Sequence, residues 1–278
     1  MGRRSPDFDA ETAVREVEPG RFEATIDPAW QVARGPNGGY VAAIMLRALA
    51  ETVGDPSRRA RSLTIHYTAP ASDGPIEITT ATERTGRSLT SCSGRITQGD
   101  TLVAIAIGAF SSSRQGPRFC DLVMPDVLTP DMVEPLAVPD DAPPIARRWE
   151  TLPVLGGMPY PGMEPTKEAV GGGWIRLPER RVADEVVIAA MTDAWLPPVF
   201  ARLGEPVVVP TVDLTIHFRS VLPHPDAQAD DFVFVRFRTT VAAEGFLEED
   251  GEVWSPDGVL LAQSRQLAAI MPMPEPDD

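Results

Sequence analysis

Chemistry in a chain of 278 residues with three histidines and two cysteines has few places to reside. His66 and His217 occupy the same place in two copies of one tetrapeptide, Leu-Thr-Ile-His, and an aromatic residue follows each. That setting reads as a strand position with a structural role. His224 stands between prolines and reads as a loop residue. No G-x-S-x-G segment presents a serine on a nucleophile elbow, so a nucleophilic triad has no support. Cys92 and Cys120 are not at metal-ligand spacing, and two cysteines do not make a disulfide framework. "GPNGG" (35–39) lacks the spacing and the preceding parallel strand of a dinucleotide fingerprint.

The doubled tetrapeptide is the edge of a larger repeat. "LTIHYTAP" starts at Leu63 and "LTIHFRSV" at Leu214, an offset of 151. A helical pattern precedes each. In the first, Val41, Ile44, Met45, Ala48, Leu49 and Val53 follow helical spacing, and Gly54 and Pro56 stop it. In the second, 184–206 is expected as a helix that ends in the same way at Gly204 and Pro206. After each tetrapeptide come runs rich in β-branched and aromatic residues. "FVFVRFRT" alternates as a half-buried strand should. "TQGDTLVA" and "SPDGVLLA" read as hairpin turns and align Leu102 with Leu260, an offset of 158. "RFEATID" (21–27) and "GGWIRLPE" (172–179) are the opening strands. The unit is strand, helix and four strands, used twice. Between the copies, residues 111–171 hold 11 of the 29 prolines and little periodicity, which predicts a stiff linker over a surface. A short helix fits near "TPDMVEPL". The expected boundaries are 15–112, a linker over 113–167, and 168–275. The fold class is α+β, two similar units that cover each other's exposed face and edge.

Net charge is −15, with 40 acidic against 25 basic residues. Nucleic acid and an anionic membrane surface both demand a basic face, so neither is an expected partner. A local arginine cluster still leaves room for an anionic small ligand. The N-terminal stretch carries charge without an apolar segment, and no run approaches the roughly 18 apolar residues of a membrane span. The chain reads as soluble and cytoplasmic, with no metal or cofactor required.

The motifs "GPNGGYVAAIMLRAL", "MTDAWLPPVF", "TVDLTIHFR" and "LLAQSRQLAAIM", in this order and spacing, resemble the acyl-CoA thioesterase II family. The resemblance covers most of 20–110 and 168–272. It implies two tandem hotdog domains, each a long helix wrapped by an antiparallel sheet, joined as a pseudo-dimer with one continuous sheet. It also implies hydrolysis of the thioester of acyl-CoA to fatty acid and coenzyme A, and a homo-oligomer. The family activates water with an aspartate, a threonine and a glutamine, which fall here on Asp193, Thr211 and Gln266. Gly38, Gly39, Tyr40 and Trp195 are the expected substrate-binding residues. Around the site the chain departs from the family: Pro197 and Pro198 follow the aspartate, and Leu267 and Ala268 follow the glutamine.

The repeat supplies a check of its own. The offsets place Asp193 on Ala43, Thr211 on Ala60 and Gln266 on Gly108. Three polar residues in core-facing stretches of one copy cost about 1–3 kcal/mol each unless paired. A carboxylate is ionised at neutral pH and accepts a proton, while a hydroxyl and an amide orient water. Backbone N–H groups at the helix opened by "GPNGG" suit a developing oxyanion. Arg58, Arg59 and Arg61 suit coenzyme phosphates by type, but read more simply as a solvated loop. Two other functions compete with hydrolysis. A non-catalytic acyl-CoA binder keeps the fold without turnover. An enoyl-CoA hydratase of this fold uses an Asp-x-Asn-Pro-x-His segment, which is absent.

Overall fold

A computed structural model describes residues 7–157, 164–203 and 207–273. The first half runs α1 (Phe8–Glu11), β1 (Arg15–Glu18), β2 (Arg21–Ile26), α2 (Gly38–Val53), β3 (Arg59–Tyr67), β4 (Gly74–Thr85), β5 (Leu89–Gln98) and β6 (Thr101–Ser111). The second runs β7 (Glu150–Gly156), β8 (Ala169–Arg176), α3 (Glu185–Met191), α4 (Val199–Leu203), β9 (Val207–Val208) and β10 (Thr211–Phe218). It continues through β11 (Val233–Thr239), β12 (Ala242–Ala243), β13 (Phe246–Trp254), β14 (Leu260–Ala269) and β15 (Met271–Pro272).

The main antiparallel sheet runs in the order β1-β2-β4-β5-β6-β3-β10-β14-β13-β11-β8-β7, β12 pairs with β13 beside this path, and β9 and β15 form a separate two-stranded sheet. Read outward from the β3–β10 seam, the two halves have the same order. At the seam Thr64 pairs with Thr215, and their hydroxyls lie 3.1 Å apart. These two residues are separated by the repeat offset, so a pseudo-two-fold axis passes between them. The register repeats as well. Leu63 faces Gly108 as Leu214 faces Gln266, and a bulge at Ala60/Ser62 matches one at Thr211/Asp213.

Helix α2 is buried on almost every side, which is why its sequence is apolar beyond a single stripe. Asn37 caps it by accepting from the Tyr40 N–H at 3.0 Å, and Gly54, at φ +62°, ends it in the left-handed region. It packs against α3 as well as against its own sheet, and one buried core spans both halves.

The second half lacks the single long helix expected over 184–206. It has α3, a break from Thr192 to Pro198, and the short α4. Pro197 and Pro198 have no N–H to donate and disfavour helical backbone before them. Gly204 and Pro206 lie outside the described residues.

Within the expected linker, residues 150–156 form β7 and pair with β8 at the sheet's end. The preceding segment includes a 3₁₀ turn at Pro130–Met132 and lies on the outer face of the second half. There Met124, Val127 and Val133 pack over Leu152, Trp174, Phe234, Trp254 and Leu260. Phe234 is therefore buried on the outer face while Phe237 is buried on the inner one, and "FVFVRFRT" is not exposed on alternate residues. Buried Arg148 donates to Glu11 at 2.6 Å and to Glu179 at 3.3 Å, tying the N-terminal segment to the second half. Among the described residues, no helix is long and apolar enough to cross a membrane.

Candidate active site

Asp193 lies just beyond α3, where the helix breaks, and this places it at the N-terminus of α2. Its Oδ2 accepts from Asn37 Nδ2 at 2.9 Å and from the Gly39 N–H at 3.0 Å. Asn37 Nδ2 also donates to the Asp193 carbonyl at 2.7 Å, so the residue that caps α2 holds Asp193 too. Close approach is possible because the helix opens with two glycines. A Cβ on Gly39 would lie 2.6 Å from the Ala190 carbonyl oxygen and 2.9 Å from Asp193 Cβ. A Cβ on Gly38 would lie 3.0 Å from Asp193 Oδ2.

The sheet supplies the rest. Thr211, on the bulged end of β10, donates through Oγ1 to Gln266 Oε1 at 2.8 Å. Gln266 Nε2 donates to Asp193 Oδ1 at 3.4 Å and to Glu249 Oε1, on β13, at 2.6 Å. Gln266 and Glu249 face each other across β14 and β13 and are buried. Asp193, Thr211 and Gln266, set far apart in sequence, thus join one hydrogen-bonded cluster. It draws on both halves, since Asn37 and Gly39 belong to the first.

Burial raises the Asp193 carboxyl pKa to about 6, against the lowering effect of its hydrogen bonds from Gly39, Gln266, Gly38 and Asn37. Burial likewise lifts Glu249 to about 8, opposed by its Gln266 hydrogen bond and reinforced by the charges of Asp193, Glu248 and Asp250. At neutral pH Asp193 is mostly ionised and Glu249 mostly protonated. The Tyr67 phenol donates to the Gly38 carbonyl at 2.6 Å, and burial, with the charges of Asp193 and Asp213, holds it protonated.

In the first half the equivalent positions are apolar. Ala43 and Ala60 are buried, and Gly108 faces buried Cys92 as Gln266 faces Glu249.

The other expected residues are placed differently. The Tyr40 ring stacks on Trp30 at 4.8 Å inside the core, and its hydroxyl donates to the Glu11 carbonyl at 2.6 Å. Only its backbone faces the cluster. Trp195 lies over β8, within 3.1 Å of where a Gly171 Cβ would stand, and makes no hydrogen bond to the cluster. The arginine run is engaged within the fold. Arg58 binds Asp55, Thr90 and Gly86, Arg59 binds Glu185 and Leu222, and Arg61 reaches the Ser111 carbonyl. His66 and His217 are exposed on their strands.

Reading the sequence missed Asn37, Tyr67 and Glu249. Asn37 and Tyr67 carry no pattern that marks them. Glu249 does, because on a strand whose inward residues are Leu247, Gly251 and Val253 it puts a carboxyl in the apolar phase.

A helix wrapped by an antiparallel sheet, present twice and sharing that sheet, defines a double hotdog protein. The chain belongs to the acyl-CoA thioesterase family: the model of the acyl-CoA thioesterase C-terminal domain matches 128–270, and that of the N-terminal domain matches 26–111. The C-terminal match begins inside the expected linker. A hot dog fold protein of unknown function from Alicyclobacillus acidocaldarius is 28% identical, with a TM-score of 0.85 over 95% of this chain and 97% of its own. A Thermobifida fusca protein, assigned provisionally as a thioesterase II, is 25% identical, with a TM-score of 0.80 over 95% and 97%. An acyl-CoA thioesterase II from Mycobacterium marinum shares the fold at 18% identity, with a TM-score of 0.75 over 95% and 98%. No curated protein matches the chain.

Proposed function

We propose that the protein hydrolyses the thioester of acyl-CoA, with water held and activated by Asp193, Thr211 and Gln266. The observation that carries this reading is the convergence of those three side chains on one cluster, in the half of the repeat that alone has them. Asp193 Oδ2 is occupied by two firm hydrogen bonds, whereas Oδ1 has one long one. Oδ1 is the oxygen that takes a proton as water attacks the carbonyl carbon. Thr211 and Gln266 orient that water. The C–S bond then breaks, the sulfur receives the proton, and the products are a carboxylic acid and the free thiol of coenzyme A. The positive end of the α2 dipole favours the charge that builds on the carbonyl oxygen, and Gly38 and Gly39, which let Asp193 close on that helix start, belong to the substrate-binding set of this reading. Trp195, over the floor of β8, and the backbone of Tyr40 complete the substrate-binding set.

Free-thiol release with a panel of acyl-CoAs tests the reading. Asp193→Asn should lower turnover by about 10²-fold or more, the usual worth of a general base, with binding largely kept. Turnover unchanged in a folded Asp193→Asn protein would remove the assignment. Acyl-CoA binding without thiol release by the wild type would point to a non-catalytic binder. Self-association belongs to the same reading, through the outer face where Leu89 and Ile107 are exposed. Sedimentation that shows only the monomer across a wide concentration range would count against it.

A further inference from the structure

Glu249 is expensive for the fold. It is 4% exposed, and its Oε2 is buried with no hydrogen-bond partner among the described residues. The register that pairs Arg238 with Asp250 puts Thr239 opposite it, and the Thr239 hydroxyl is buried and unpartnered too. A buried polar atom left unmatched destabilises a protein, and an apolar side chain of similar volume would remove the penalty. The first half has Cys92 at this place. Among the described residues, the one side-chain bond that Glu249 makes, at 2.6 Å, is to Gln266.

That bond determines which way Gln266 faces. A carboxamide turned by 180° exchanges its NH₂ for its oxygen. The Thr211 hydroxyl tolerates both orientations, because it donates or accepts. Ionised Asp193 accepts only, but its contact with Nε2 is 3.4 Å, too long to hold the amide firmly. Glu249 Oε1 accepts from Nε2 whether the carboxyl is ionised or carries its proton on Oε2. With Nε2 held between two carboxyls, Oε1 turns to Thr211, and the hydroxyl and the amide present fixed donors and acceptors to water. We infer that Glu249 is a positioning residue of the reaction centre, which locks the Gln266 carboxamide with Nε2 toward Asp193. This rests on the hydrolytic reading given above.

Stability and activity should then move in opposite directions. Glu249→Met should raise Tm, lower kcat by roughly tenfold or more, and leave KM within about twofold, because a misdirected water harms the chemical step and not binding. Glu249→Gln keeps an acceptor for Nε2 and should retain most of the turnover. An activity-independent measurement keeps the two readings separable. With ¹⁵N-labelled glutamine, the Gln266 side-chain amide, assigned by its loss in Gln266→Met, should be shifted downfield and slow to exchange in the wild type. It should lose both features in Glu249→Met and keep them in Glu249→Gln. A Glu249→Met protein with wild-type kcat, or with an unaltered Gln266 amide signal, overturns the inference. A wild type that hydrolyses no acyl-CoA removes the thioesterase reading, and the amide signal alone then decides this one.

Discussion

At the scale of single residues, the site holds two carboxyls whose surroundings push them to different values, Asp193 to about 6 and Glu249 to about 8. If Asp193 is the base, kcat/KM should rise with pH through about 6 as its carboxyl ionises, and Asp193→Asn should abolish that rise. Stability should run the other way. Both folded-state values lie above the ordinary carboxylate range, so the unfolded chain releases these protons first. The stabilisation is complete at low pH and is lost as pH rises through about 6 and then about 8. Tm should therefore fall by a few degrees from about pH 5 to about pH 9, and Glu249→Gln should flatten the upper part of that fall. Scanning calorimetry across pH decides this, and a Tm rising over the range would contradict the assignments. The family resemblance pointed to Asp193, Thr211 and Gln266, and the repeat set them apart, because its first copy is apolar where they stand. Glu249 was not, because the motifs stop short of it and two neighbouring acidic residues, Glu248 and Asp250, make it look like part of a solvated run. Asn37 was hidden in a glycine turn, where an asparagine is ordinary.

At the scale of elements, the site exists because α2 begins where α3 breaks. Gly39→Ala would put a methyl against the Ala190 carbonyl and Asp193, neither of which moves without its helix. It should cost about 1–3 kcal/mol of stability and carry Asp193 away from Gln266, so activity should fall even where the protein stays folded. Chemical denaturation and thiol release on one sample test both, and a Gly39→Ala protein of wild-type stability and turnover would refute the close packing. The ends of α2 and the paired hairpins were legible from periodicity and from Gly and Asp at the turns. The break after α3 was not. The apolar period continues through Val199 and Leu203, across Pro197 and Pro198, and so reads as one helix. Strand β7 was equally hidden: it contains Pro153 and lies at the sheet's end, where a missing N–H does little harm but leaves no strand signature.

At the scale of the whole molecule, the repeat announced two units and the resemblance a shared sheet, but neither told how the intervening chain is used. Its contacts are long-range, the linker with the outer face of the second half and Arg148 with Glu11 and Glu179, and no local pattern encodes them. The cluster also draws on both sides of the β3–β10 seam, Asn37 and Gly39 from one and Asp193, Thr211, Gln266 and Glu249 from the other. This makes the protein a natural candidate for fragment complementation. A nick at exposed Gly116 would separate a piece that holds the helix start from a piece that holds Asp193, Thr211, Gln266 and Glu249. Neither piece has a complete centre, and each bares the unpaired edge of a seam strand that fits the other. The two pieces, made separately, should show no thiol release, and together they should recover it in proportion to the complex formed. Activity in the second piece alone would mean that the first half does nothing more than cover an edge.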